Sequence, residues 1–260
     1  MLVTERPGGP PRLGPMLVTI AMPAFDEAPH VARVAAEALA ALQASGQDGE
    51  LLLVDDGSTD GTSELVDRIG REHAHVRVVH HPANRGFSGA MTTSLREARG
   101  DWVFLVPADG QIVMADLHRF LAARTEADIV VGVRAHRPDG TRRVLLSRAF
   151  HRISKTILPV PLEEFSSVFL FRRSLVDAMP IRSRPRGATF LPEVLYRAHA
   201  RHARFVELRI EPRPRMGGRA KGAQISVALL TLLELVRLAP LVRWDEVRAE
   251  RRARAHAATH

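Results

Sequence analysis

In the first half of the chain, apolar runs too continuous for one-sided burial alternate with segments of helical spacing. LVTIAMPAF (17–25), ELLLVDDGSTDG (50–61), VRVVHH (76–81) and WVFLVPADG (102–110) read as strands. Between them, HVARVAAEALAALQAS (30–45), SELVDRIGREHA (63–74) and GFSGAMTTSLREAR (86–99) place apolar residues at three- and four-residue intervals. Strands that apolar are covered on both faces, and their alternation with helices requires an α/β fold with a mostly parallel sheet flanked by helices. MADLHRFLAART and ADIVVGVR continue the pattern. Beyond them the regularity loosens, with helices expected near 143–157, 174–178 and 190–202 and no internal repeat. Residues 1–15, MLVTERPGGPPRLGP, carry no apolar period and read as a flexible tail, so the fold should begin near Met16.

At 260 residues and 45% hydrophobic, the chain suffices for one large domain, here 16–223, followed by a distinct segment, 224–260. The absence of cysteine excludes disulfide frameworks and thiolate metal sites. With no signal-peptide pattern at the N-terminus, the expectation is a cytoplasmic protein. A net charge of +8 invites anionic partners. One Tyr and two Trp, with arginines scattered among acids, argue against a nucleic-acid-binding surface.

In an open parallel sheet, ligands bind beyond the carboxyl ends of the strands. There the first strand offers Pro23, Phe25, Asp26 and Glu27, the second Val54, Asp55 and Asp56, and the next long one Asp109 and Gln111. DDGSTDG alone could be a turn and helix cap, and Asp109 could cap a turn. Three acidic strand ends on one edge repel each other unless a cation or ligand donors compensate, which points to a metal or nucleotide.

QISVALLTLLELVRLAPLVRW (224–244) is too polar for an easy membrane span. At 100° per residue Ser226, Thr231, Glu234 and Arg237 share a stripe about 140° wide, which predicts an amphipathic helix with a broad apolar face. That face either packs on its own domain or a partner copy, or lies peripherally at the inner membrane face. Arg243, Arg248, Arg251, Arg252 and Arg254 suit anionic lipid, whereas Asp245, Glu246 and Glu250 dilute them.

The ordered set MPAFDEAPHV, LLLVDDGSTDGT, NRGFSGAMTTSLREARGDW, PADGQ, DIVVGVR, LLSRAF, EEFSSVFLFRR, FLPEVLYRA and RPRMGGRAKG resembles the GT-A family 2 glycosyltransferases, especially polyprenyl-phosphate sugar transferases of the dolichyl-phosphate mannosyltransferase type. It spans roughly residues 16–223, and its specificity lies in the order of the motifs. The resemblance implies a GT-A (Rossmann-like) fold and transfer of a sugar, with inversion, from a nucleoside-diphosphate sugar (UDP- or GDP-) to a polyprenyl phosphate. A soluble hydroxyl acceptor is the alternative within the class, and a nucleotide-binding protein without turnover the alternative outside it.

By the same resemblance, Pro23, Phe25, Glu27, Val54 and Ala108 line the nucleotide pocket and Asp56 reads the base edge. Asp26 stands where the family has Asn. The PADGQ run matches an Asp-x-Asp-x-Gln motif that holds a divalent cation, Mg²⁺ or Mn²⁺, against the diphosphate. Pro107 replaces its first Asp, leaving Asp109 and Gln111, which project alike in extended chain. Arg134, Arg148, Arg215 and Lys221 become candidate cations for the diphosphate and acceptor phosphate, with Ala220 where the family's loop has Ser. Glu163, or Glu164 beside it, takes the place of the family's acid before S-x-F-x-x-F-R-R. A hydroxyl acceptor needs that carboxylate as general base, and an ionised phosphate does not; a plain surface acid is the simpler reading.

Overall fold

The structure, a computed structural model, describes residues 17–135, 151–163, 168–213 and 225–257. The expected tail 1–15, Arg148, Glu164, Arg215 and Lys221 lie outside the described residues, as does the part of the expected 143–157 helix before His151.

The alternation folds as the sequence demands. In chain order the elements are β1 (Val18–Ala24), α1 (Val31–Ala44), β2 (Gly49–Asp55), α2 (Thr62–Glu72), β3 (Val76–His80), α3 (Gly86–Glu97), β4 (Trp102–Leu105), α4 (Leu117–Ala123) and β5 (Ile129–Arg134). The second half adds α5 (151–157), β6 (Phe169–Arg172), α6 (Arg173–Asp177), α7 (Phe190–Ala200), β7 (Phe205–Ile210) and α8 (Ile225–Ala257). One seven-stranded sheet runs in the order β3-β2-β1-β4-β6-β5-β7, with β6 antiparallel to both neighbours and the other pairings parallel. Sequence patterning did not mark β6 or β7: VFLFRR is a short apolar run, and β7 is largely half-buried and lacks a continuous apolar face.

Both faces of the central strands are covered. Ile20, Met22, Leu51, Leu53, Trp102 and Phe104 pack on one side with α1 and α4, where the rings of Phe104 and Phe120 meet edge-on at 5.0 Å. Ala21, Leu52, Val54, Val103 and Leu105 pack on the other with α3 and α7. Successive side chains go to opposite faces of a strand, so burial on both faces needs the unbroken apolar runs seen in the sequence.

The C-terminal segment is a helix packed on its own domain, and its polar stripe does not mark the solvent side. Thr231 is buried, and Glu234 turns inward to accept a hydrogen bond from the Arg184 amide at 3.0 Å. Leu235, Leu238, Ala239 and Val242 are buried, while Leu233, Val236, Trp244 and Val247 are exposed. The reason is a buried ionic cluster that fixes which side faces in. Arg197 of α7, fully enclosed, donates to Glu193 at 2.8 and 2.9 Å, to Glu246 at 2.8 Å and to Asp245 at 3.0 Å. Arg201 and Arg182 complete the carboxylates' shells at 2.7 and 2.6 Å. Burial opposes charge on Arg197, but Glu246 and Glu193 outweigh it and hold the guanidinium more basic than usual.

Breaking such a cluster strands its remaining charges. Arg197→Ala should lower unfolding free energy by about 3–5 kcal/mol, because buried Glu193 loses its cation without regaining water and Glu246 is left to Arg201. Urea denaturation of the full chain measures it, and a loss below about 1 kcal/mol would show that water enters the cluster.

Candidate active site

Parallel pairing brings the carboxyl ends of β2, β1 and β4 side by side, with Ala24 opposite Asp55 and Ala21 opposite Leu105. The loops that follow are tied to one another. The Asp56 amide donates to the Ala24 carbonyl at 2.9 Å, and the Ala108 amide donates to the Pro23 carbonyl at 3.3 Å. The site residues Pro23, Val54, Asp56 and Ala108 therefore come together, beside Phe25 and Glu27 on one side and Asp109 and Gln111 on the other.

The loop after β1 is held by the loop after β2. Asp26 adopts the left-handed conformation (φ 49°), which a short acid tolerates, and its carboxylate accepts the Thr59 amide at 2.9 Å. Its own amide donates to Ser58 Oγ at 3.0 Å, the Glu27 amide to Thr62 Oγ1 at 2.8 Å and the Ala28 amide to Asp60 at 3.1 Å. Every polar residue of the DGSTDGT turn thus has a partner. The Thr59 amide needs an acceptor at position 26, and Asp supplies it as the side-chain oxygen of Asn would.

Asp55 and Asp56 are 1% and 2% exposed, and each is surrounded by donors. Asp55 accepts from Ser58 N (3.1 Å), Ser63 Oγ (2.6 Å) and His80 Nδ1 (2.9 Å). Burial pushes its carboxyl up, but those bonds outweigh burial and hold it below the ordinary carboxylate value. Asp56 meets His81 Nδ1 (2.6 Å), Arg85 N (2.8 Å), Gly86 N (2.8 Å) and Asn84 Nδ2 (3.1 Å). A carboxylate offers about four acceptor sites, so a base N–H arriving at Asp56 would share an oxygen already engaged. Gly57 (φ 72°) lets these loops close: a Cβ there would stand 2.6–2.9 Å from the backbone of Ala83 and Asn84.

His80 and His81, which the sequence reading passed over, are the partners that make those two acids tenable. The signal was the HH pair ending a strand at the same sheet edge; β3 pairing sets His80 opposite Asp55. His80 Nε2 also lies 2.9 Å from Asp67. Partial burial works against its charge, but Asp55 and Asp67 outweigh burial and raise its pKa above 6.5.

The PADGQ loop turns at Gly110 (φ 72°), where the Asp109 carboxylate accepts the Gln111 amide at 3.1 Å. Arg33 of α1 reaches under it: a Cβ on Gly110 would stand 2.4 Å from Arg33 Nη2, a buried nitrogen with no hydrogen-bond partner among the described residues. Glu37 binds both Arg33 (2.6 Å) and Arg213 (2.7 Å), and the Arg213 amide donates to the Gln111 carbonyl at 2.7 Å. Arg134 lies at the same sheet edge, opposite Ile210. Glu163 is apart from the β2-β1-β4 cluster, exposed, with one Arg209 nitrogen spanning its oxygens at 2.9 and 3.1 Å.

Among the described residues no three His, Cys, Asp or Glu side chains form a metal-holding group. Asp109 and Gln111 nevertheless offer hard oxygen donors, the kind Mg²⁺ accepts alongside substrate phosphates and water. The donor set fits a divalent ion whose shell is completed by a ligand.

A layered α/β sheet of this order, mostly parallel and flanked by helices, belongs to the GT-A class of folds. The chain belongs to glycosyl transferase family 2, whose model matches residues 19–181. It is similar to the undecaprenyl-phosphate 4-deoxy-4-formamido-L-arabinose transferases of Shewanella sediminis (28% identity over 74% of this chain and 58% of the relative) and Pseudomonas aeruginosa (29%, 79% and 60%). It thus spans about three-fifths of the length of these curated relatives. Among solved structures, glucosyl-3-phosphoglycerate synthase from Mycobacterium tuberculosis with Mn²⁺, UDP-glucose and phosphoglyceric acid shares the fold at TM-score 0.65 and 18% identity, over 86% of this chain and 80% of that one. Mannosyl-3-phosphoglycerate synthase from Rubrobacter xylanophilus does so at 0.61 and 18%, over 91% and 75%.

The His80 bridge has a measurable pH signature. Because its folded pKa is raised, its stabilisation is fully present below about pH 6.5 and is lost as pH rises through the raised value. The Tm difference between wild type and His80→Gln should be largest near pH 6 and shrink towards pH 9. A difference independent of pH would mean that the imidazole is neutral throughout.

Proposed function

We propose that this glycosyltransferase moves a sugar from a nucleoside-diphosphate sugar to a polyprenyl phosphate with inversion. The acceptor phosphate oxygen attacks the anomeric carbon, the bond to the diphosphate breaks, and the nucleoside diphosphate leaves with that electron pair. The observation that carries the acceptor assignment is the state of Glu163. Both oxygens of Glu163 are engaged by one Arg209 nitrogen, and the residue stands apart from the β2-β1-β4 loops. A phosphate acceptor arrives ionised, its second pKa being near 6, and needs positioning, not a base. Undecaprenyl phosphate, for which the two relatives are named, supports the same reading.

The donor belongs over the β2-β1-β4 edge. Phe25, Glu27 and Val54 line its nucleotide pocket; Asp56 braces the wall by holding the loop into α3, and shares an oxygen with the base. Asp109 and Gln111 would hold Mg²⁺ or Mn²⁺, which when bound would offset charge developing on the leaving diphosphate. Arg213, whose amide donates to the Gln111 carbonyl, adds its own charge beside that loop. Arg215 and Lys221, with Arg134 and Arg148, neutralise the anionic donor and acceptor.

Two measurements test this. Mn²⁺ should bind appreciably only with UDP or GDP present, and Asp109→Asn should abolish the nucleotide-dependent part and lower turnover by on the order of 10²; calorimetry showing equal Mn²⁺ binding in both proteins would make Asp109 a turn residue only. With a short prenyl phosphate and saturating donor, Glu163→Gln should lower kcat/KM less than about ten-fold while Arg148→Ala is severe. The reverse order, with a loss of about 10²–10⁴ in Glu163→Gln, would instead identify a hydroxyl acceptor needing a base.

A further inference from the structure

The outward face of α8 carries a chemistry that sugar transfer does not use. Leu233, Val236, Trp244 and Val247 are 64%, 59%, 57% and 41% exposed, and Pro240 between them is exposed as well. At 100° per residue these five fall within an arc about 80° wide, centred about 150° from the buried face. Single exposed apolar residues are ordinary, but a continuous stripe that includes a tryptophan is a binding patch. Pro240 belongs on this side: its missing N–H withdraws the partner of the Val236 carbonyl where polar surroundings can replace it.

The charges around the stripe identify its occupant. Every carboxylate on the described side chains of this helix is already engaged: Glu234 by the Arg184 amide, Asp245 and Glu246 by the buried arginines, and Glu250 by Arg254. Asp245 and Glu246 therefore do not dilute the arginines on the surface, and exposed Glu250 offsets Arg254. Arg237, Arg243, Arg248 and Arg251 are exposed and border or continue the stripe, with the Arg248 guanidinium 5.8 Å over the Trp244 ring. A second copy is a poor match, since two-fold pairing sets like against like and would appose these arginines.

We propose that this face of α8 lies in the interface of an anionic lipid bilayer. Its apolar stripe enters the headgroup–acyl boundary, and Arg237, Arg243, Arg248 and Arg251 meet lipid phosphates. Trp244 supplies the amphipathic ring that favours that depth. No helix among the described residues is long and apolar enough to cross a membrane, so the contact is lateral. The inference stands on the helix face alone, and it puts the enzyme where a polyprenyl phosphate would be presented.

The test is sedimentation of the full chain with phosphatidylcholine vesicles, with and without 30% phosphatidylglycerol by design (roughly a third anionic, as membrane-surface binding requires), free of any prenyl phosphate. Binding should need the anionic lipid and weaken in high salt. Arg248→Ala/Arg251→Ala should lower the partition coefficient about 25-fold, from about five-fold per arginine near an anionic surface. Leu233→Ser/Trp244→Ser should lower it at least about ten-fold. Both pairs are exposed, so Tm should not move, and turnover of a short water-soluble prenyl phosphate should persist. Absent vesicle binding, variants that bind as wild type, or a concentration-dependent dimer abolished by the serine pair would overturn the proposal. Intact vesicle binding without turnover of prenyl phosphate would support this face and remove the acceptor reading instead.

Discussion

Two adjacent carboxylates withdrawn from water, Asp55 and Asp56, are the constraint on which the candidate site depends. Ionised groups so buried cost several kcal/mol each unless donors surround them. The donors come from three directions: the start of α2 through Ser58 and Ser63, the end of β3 through His80 and His81, and the loop into α3 through Asn84, Arg85 and Gly86. Meeting the needs of two acids fixes the relative positions of three loops. Gly57 allows the closest of those approaches, and Asp26 extends the lacing to the loop after β1. Loops laced together this way are held by hydrogen bonds among themselves, independent of any ligand.

The neighbouring PADGQ loop is built on a different balance. Pro107 supplies no charge, Asp109 supplies one, and Arg33 and Arg213 share the single acid Glu37 beneath the loop. The two arginines are thus matched in number by two carboxylates, and the loop itself contributes only one of these, Asp109. Such a site is suited to an anionic ligand that brings much of its own metal coordination, and less suited to holding a divalent ion on its own.

At the far side, the cluster around Arg197 decides more than the docking of one helix. By pairing Asp245 and Glu246 inside, it rotates α8 so that these two acids face the body while four arginines and the surplus apolar residues face out. Stability and surface chemistry are coupled there: the same contacts that anchor the helix leave its outer face basic and apolar.

The sequence alone determined the layered α/β sheet, because strands buried on both faces must be apolar without interruption and helices between them must keep their own period. It also determined which loops share one edge, since parallel strands joined by helices put all their carboxyl ends there. Asp56, Asp109 and Gln111 were legible as candidates for that reason. What each acid does was not legible. Only tertiary structure turned His80 and His81 towards the two aspartates, set Glu163 against Arg209 and brought Arg213 to Gln111, contacts between residues 25 to 102 positions apart. The orientation of α8 was likewise decided in three dimensions. Periodicity reports that a helix has a polar stripe, but a buried ion cluster, supplied by residues of another helix about 50 positions earlier, determines whether that stripe meets water or the core.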